Sequence, residues 1–188
     1  DVAVTNHPGF GGSHLPDVTL VAPVHADDGS LLGYVANRAH HAEIGGMRPG
    51  SMPPMARCLE EEGVVVAPML LASSGRADWE GMRRVLTTAR FPTRAVAENL
   101  ADLHAQLAAA RRGVEALREL ARAHGAERVR WFMGALQSRS AQALAEGLRA
   151  LGTRPREAED ALDDGSIVRV TCRPDAQSGR WTIDFAGT

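Results

Sequence analysis

The amino-acid sequence predicts an α+β fold, on three observations. β-leaning runs joined by Gly/Pro loops open the chain, one-sided apolar stripes at helical spacing fill its middle, and alternating runs close it. The expected arrangement is an N-terminal β-rich module with Gly/Pro loops over residues 1–75, an antiparallel helical hairpin over 76–152, and a C-terminal β-hairpin over 153–188.

Each element has a local reason. Residues 2–5, 18–24 and 31–36 are apolar and rich in β-branched side chains, and Asp27-Asp28-Gly29-Ser30 is a turn signal, so the second and third runs predict an antiparallel hairpin. Residues 64–71 are a further strand candidate. Asp78 is placed to cap a helix carrying Trp79, Met82, Val85 and Leu86. Pro92 opens a longer helix in which Leu100, Leu103, Leu107, Val114, Leu117 and Leu120 form one stripe, ended by Gly125. A second helix carries Val129, Phe132, Met133, Leu136, Leu144 and Leu148 to Gly152, and the short connection implies antiparallel pairing. Residues 167–172 and 181–185 alternate about a turn at 175–179. Both ends fall on strand patterns, so the sequence reads as a piece of a larger subunit.

Composition excludes several classes. A net charge of -2 and few aromatics give no reason to expect nucleic acid or an anionic membrane as partner. No apolar run has the length of a membrane span. Cys58 and Cys172 lie far apart and read as reduced thiols, which suits a cytoplasmic protein. All 21 basic residues are arginine, which removes Schiff-base lysine chemistry and a Walker-type phosphate loop.

The chemistry concentrates in two Gly/Pro-framed histidine clusters. The first runs from Asn6-His7-Pro8 through Gly11-Gly12-Ser13-His14-Leu15-Pro16-Asp17; the second is His40-His41-Ala42-Glu43-Ile44-Gly45-Gly46 followed by Arg48-Pro49-Gly50-Ser51-Met52. They flank the predicted hairpin, whose closure brings its ends together, so His14 and His40 are expected to be neighbours. Imidazole and carboxylate bind borderline divalent metals and move protons near neutral pH. The spacing of His40 and Glu43 puts both on one face if the loop takes a helical turn. Asp17 reads as a ligand, a carboxylate orienting a ligand histidine, or a turn cap; His7 is placed to line the same cleft. Arg48 beside Ser51 suits a phosphate or carboxylate, against the alternative of a solvated loop arginine. His25 and His124 read as surface residues, and His104 as a helix residue.

These segments, with Pro49-Gly50-Ser51-Met52-Pro53, the later residues 102–109 and the terminal Asp184-Phe185-Ala186-Gly187-Thr188, resemble the hydantoinase B/oxoprolinase family along the whole chain. The resemblance implies the B-type part of an ATP-dependent cyclic-amide hydrolase, which opens a ring phosphorylated by a partner A-type subunit or domain in a hetero-oligomer. It implies a divalent metal (Zn, Mn or Fe) held by His14, His40 and Glu43, with His41 and Asp17 beside the ligands; His41, Asp17 and His7 are the candidate catalytic residues, and Arg48 and Ser51 the candidate substrate contacts. ATP enters through the partner. Positions 7 and 43 are usually aspartate in the family, so His7 and Glu43 are departures, and an upstream acidic ligand would precede Asp1. Alternatives are a subunit of an ATP-dependent acetone or acetophenone carboxylase, or a non-catalytic structural subunit.

Overall fold

The computed structural model describes residues 1–175 and 178–188 and divides into two compact units, Asp1–Arg130 and Trp131–Thr188. The first unit is built on an antiparallel five-stranded sheet. Its strands are β1 (Val2–Thr5), β2 (Asp17–His25), β3 (Leu31–His40), β4 (Met69–Ser73) and β5 (Arg76–Ala77), in the spatial order β3-β2-β1-β4-β5. The hairpin read from the sequence is β2–β3, in continuous register from Asp17↔His40 to Val24↔Gly33.

Strand alternation decides the two faces of this sheet. Val2, Val4, Val18, Leu20, Ala22, Val24, Leu32 and Leu71 point inward and are buried. Against them pack α2 (Trp79–Thr88), through Met82 and Leu86, and α3 (Val96–His124), through Leu100, Leu103 and Leu107. Burying each such side chain contributes about 1.5–3 kcal/mol. The opposite face carries Asp17, Thr19, Val21 and Pro23 of β2 and the exposed Tyr34, Ala36, Arg38 and His40 of β3. The histidine-bearing end of the hairpin therefore opens outward.

Asp78 caps α2 as expected, its Oδ1 accepting from the Gly81 N–H at 2.8 Å. Two boundaries differ from the sequence expectation. The long helix starts at Val96 rather than at Pro92, because Thr93 and Arg94 are turned toward Glu43. The strand expected over 64–71 is ladder-paired only from Met69; its first residues are bonded instead by Asn6 and Thr5, whose side chains take up Val64 O, Val66 N and Val66 O. A short helix, α1 (Leu59–Glu62), lies between the second histidine loop and this segment.

Gly125 ends α3, its N–H donating to Ala121 O, and α4 (Ala126–Ala150) follows at once. Among the described residues α4 buries no side chain, and Trp131, Phe132, Leu136 and Leu144 are exposed.

The second unit holds the remainder of α4 and a three-stranded antiparallel meander of β6 (Arg156–Ala161), β7 (Ile167–Pro174) and β8 (Trp181–Asp184). β7 and β8 are the expected hairpin, and the predicted turn 175–179 includes residues 176 and 177, which lie outside the described residues. β6 extends the hairpin to three strands. Its Arg-Glu-Ala-Glu-Asp-Ala sequence is exposed throughout and has no apolar alternation, so it carried no strand signal. Among the described residues, no helix is long and apolar enough to cross a membrane.

Candidate metal centre

The group forms where β2 begins and β3 ends. Asp17 and His40 are register partners, and Asp17 Oδ1 lies 3.4 Å from His40 Nδ1. The chain before β2 makes a tight turn, with Asp17 N donating to His14 O at 3.0 Å, and this sets His14 Nε2 3.5 Å from Asp17 Oδ2. The His14 and His40 rings meet edge to face, centroids 5.1 Å apart. One ligand atom from each of His14, Asp17 and His40 lies within 4.8 Å of the others.

The turn is possible because position 12 is glycine: a Cβ there would sit 2.5 Å from Asn6 O. The whole loop hangs on the buried Asn6, whose Nδ2 donates to Leu15 O and Val64 O, each at 2.8 Å, and whose Oδ1 accepts from Val66 N at 2.7 Å. Leu15 fills the core beneath.

Electrostatics favour an anionic Asp17. The Ser13 hydroxyl, donating to Oδ2 at 2.7 Å, holds the carboxyl below its ordinary pKa; partial burial opposes this, and the neighbouring His14, His40 and Arg38 assist it. His14 Nδ1 is buried and has no hydrogen-bond partner among the described residues. Two imidazoles, one of them with an orphaned ring nitrogen, and an ionised carboxylate fit a borderline divalent cation, and three protein ligands leave room for a reacting molecule.

The other residues singled out from the sequence lie elsewhere. His41 is buried on the opposite side of the strand end. Its Nδ1 accepts from Asn99 Nδ2 at 3.0 Å, because that amide also donates to Glu43 O, and this leaves Nε2 protonated toward Gln106 Oε1 at 3.3 Å. Gln106 Nε2 in turn donates to Val18 O and Asn37 Oδ1, tying α3 to both strands of the hairpin.

Glu43 is not brought to His14 and His40. The loop takes no helical turn after His40, and the Glu43 carboxylate instead receives Arg94 Nη1 at 2.7 Å, Arg94 N at 2.8 Å, the Thr93 hydroxyl at 2.5 Å and Gly45 N at 3.0 Å. Burial raises its pKa, but these donors together hold it below the ordinary glutamate value. Gly46, at φ 96°, lets the chain pass Glu62 O, which a Cβ would meet at 2.6 Å.

Ser51 is a buried staple, donating to Gly45 O at 2.8 Å and accepting from Ile44 N at 3.0 Å. Arg48 is exposed on the neighbouring turn. His7 caps the 3-10 turn Pro8–Phe10 through Nδ1, which accepts from Gly9 N at 3.0 Å. His104 stacks on Trp79.

Three contributors were missed in the sequence: Ser13, Asn6 and Arg38. The signal for Arg38 was present, since alternation along β3 puts positions 34, 36, 38 and 40 on one face.

A short-looped antiparallel sheet with a His–Asp–His group at one hairpin end defines an α+β module that carries a candidate metal site. Comparison makes the class specific: the hydantoinase B/oxoprolinase family profile matches residues 1–188, and the chain belongs to that family. It is 39% identical over 210 residues to 5-oxoprolinase 1 of Arabidopsis thaliana and 35% identical over 200 residues to 5-oxoprolinase of Saccharomyces cerevisiae. All of the chain is covered in both, but it spans only 16% and 15% of those proteins. The fold is shared with the ATP-dependent caprolactamase of Pseudomonas jessenii, at a TM-score of 0.81 and 23% identity, over 97% of this chain and 31% of that one.

Proposed function

We propose that this chain is part of the B-type, ring-opening portion of an ATP-dependent cyclic-amide hydrolase of the 5-oxoprolinase or hydantoinase kind. The observation that carries this reading is the convergence of His14, Asp17 and His40 on one open sheet end in a chain of this family. An amide is a poor electrophile. Transfer of a phosphoryl group from ATP to its oxygen, by an A-type partner or domain, makes the ring carbon attackable by water.

Within this chain, His14, Asp17 and His40 would hold a divalent cation (Zn, Mn or Fe). Such an ion supplies Lewis acidity that polarises a carbonyl or acidifies water near neutral pH. Asp17 lies between the two imidazoles, one on each carboxylate oxygen, so all three can face one ion. Ser13 keeps Asp17 ionised. His41, packed against Asn99 and Gln106, fixes the strand end from the inside. Glu43 organises the second loop rather than reaching this group, and the positions of His7, Arg48 and Ser51 suit loop-building roles.

The test uses the full-length protein with its A-type partner or domain, ATP and bicarbonate, and 5-oxoproline, hydantoin or acetophenone. ATP-dependent ring opening of a cyclic amide, lost with stoichiometric metal in His14→Ala and His40→Ala, is the expected result. Carboxylation of the ketone in place of ring opening, or a protein that carries no divalent metal at all, overturns the reading.

A further inference from the structure

Arg38 lies on the same outward face of β3 as His40, and among the described residues no carboxylate lies within ion-pair distance of it. The side chain is nonetheless fixed. Its Nε donates to Thr19 Oγ1 at 2.8 Å and one Nη2 hydrogen to Gly11 O at 2.7 Å. A guanidinium has five N–H donors, so most of the fork stays uncommitted, although its charge also acts through space on Asp17.

Its position is set by the sheet. Arg38 pairs with Thr19 one step along from the Asp17↔His40 pair, on the same outward face. Two residues along a strand is about 7 Å. A rigid, unpaired guanidinium thus lies beside the His14–Asp17–His40 group, at the span of a small ring molecule. Thr19 and Gly11 present it across the face, so ordering it on binding costs little side-chain entropy.

We propose that Arg38 receives an oxyanion carried by the substrate, and that where this is a ring carboxylate the site takes an acidic lactam in preference to a neutral one. The inference deepens the ring-opening function above and rests on it for the identity of the reacting group. Two groups on such a substrate share the required chemistry: a carboxylate on the ring, and the phosphoryl group added during activation. Either accepts two parallel N–H bonds from an arginine fork.

The experiment compares wild type, Arg38→Met and Arg38→Lys in the full-length protein with its partner. Two five-membered lactams are used: 2-pyrrolidinone and 2-pyrrolidinone bearing a 5-carboxylate. If the ring carboxylate is the ligand, Arg38→Met lowers kcat/KM on the acidic lactam by about 10- to 100-fold, and much less on the neutral one. Arg38→Lys restores only part, because lysine keeps the charge but not the fork. An equal fall on both lactams identifies the phosphoryl group as the ligand. Calorimetric binding of each lactam without ATP reads the carboxylate contact independently of turnover. If no variant hydrolyses either lactam but binding of the acidic one still depends on Arg38, the hydrolase reading fails and the anion site stands. Metal content must stay at wild-type level in Arg38→Met, since loss would mean that the Gly11 loop had moved. Unchanged turnover of both lactams, with binding indifferent to Arg38, overturns the proposal.

Discussion

Asp17 and His40 are direct cross-strand partners, and the same carboxylate that lies 3.4 Å from His40 Nδ1 through Oδ1 reaches His14 through Oδ2. One side chain thereby joins a loop to a strand end. A pair of side chains set by strand register keeps its spacing without the loop having to be ordered first.

Asp17→Asn removes the charge but keeps the size. Zinc or manganese affinity, measured by competition with a chromophoric chelator, is expected to fall at least about 10-fold, in the range seen when groups around a metal are removed. Thermal stability without metal should change little, because the residue is only partly buried at the unit's surface. Unchanged affinity would remove Asp17 from the centre.

Asn6→Ala leaves Leu15 O, Val64 O and Val66 N without their side-chain partner inside the core. At about 1–3 kcal/mol for each buried unsatisfied group, the expected loss is on the order of 3 kcal/mol or more. Urea denaturation of the unit should show it. Asn6→Asp should be no better, since a carboxylate cannot donate to the two carbonyls.

Glu43 links stability to acid. Its carboxyl pKa is lowered in the folded protein, so its contribution is fully present above the ordinary value of 4.5 and is lost as pH falls through the lower folded value. In Glu43→Gln that part of the acid sensitivity should be absent. Denaturation midpoints between pH 3 and 7, values chosen to bracket roughly the carboxylate range, should converge for variant and wild type at the acid end. Parallel curves would show that the Arg94 pair contributes nothing through charge.

Gly12→Ala places a Cβ against the Asn6 carbonyl, a backbone atom that cannot swing aside. The loop must shift, and with it His14. Both a lower melting temperature and weaker metal binding are expected; the loss of affinity without loss of stability would mean that the loop relaxes locally.

Much of this was legible in the sequence, and the reasons are physical. The β2–β3 hairpin, its Asp-Asp-Gly-Ser turn and the Asp78 cap follow from local chemistry, and local chemistry is what a sequence displays. The meeting of His14 with His40 followed from hairpin closure. Glu43 was less readable, because its partner Arg94 lies 51 residues away and only tertiary structure brings the two together. The same holds for His41, whose Asn99 and Gln106 partners sit on α3. α4 showed a helical period, but a period says which side is apolar and not what, if anything, covers it.

The Asn6 anchor carries a kinetic consequence. It grips the carbonyl of a residue 58 positions downstream, so the His14 loop acquires its shape only after that distant segment has docked. Closing so wide a loop is entropically slow compared with forming the hairpin next to it. Metal capture should accordingly trail hairpin formation during refolding, and a nick anywhere in the intervening stretch would slacken the grip on the ion while leaving the paired strands intact.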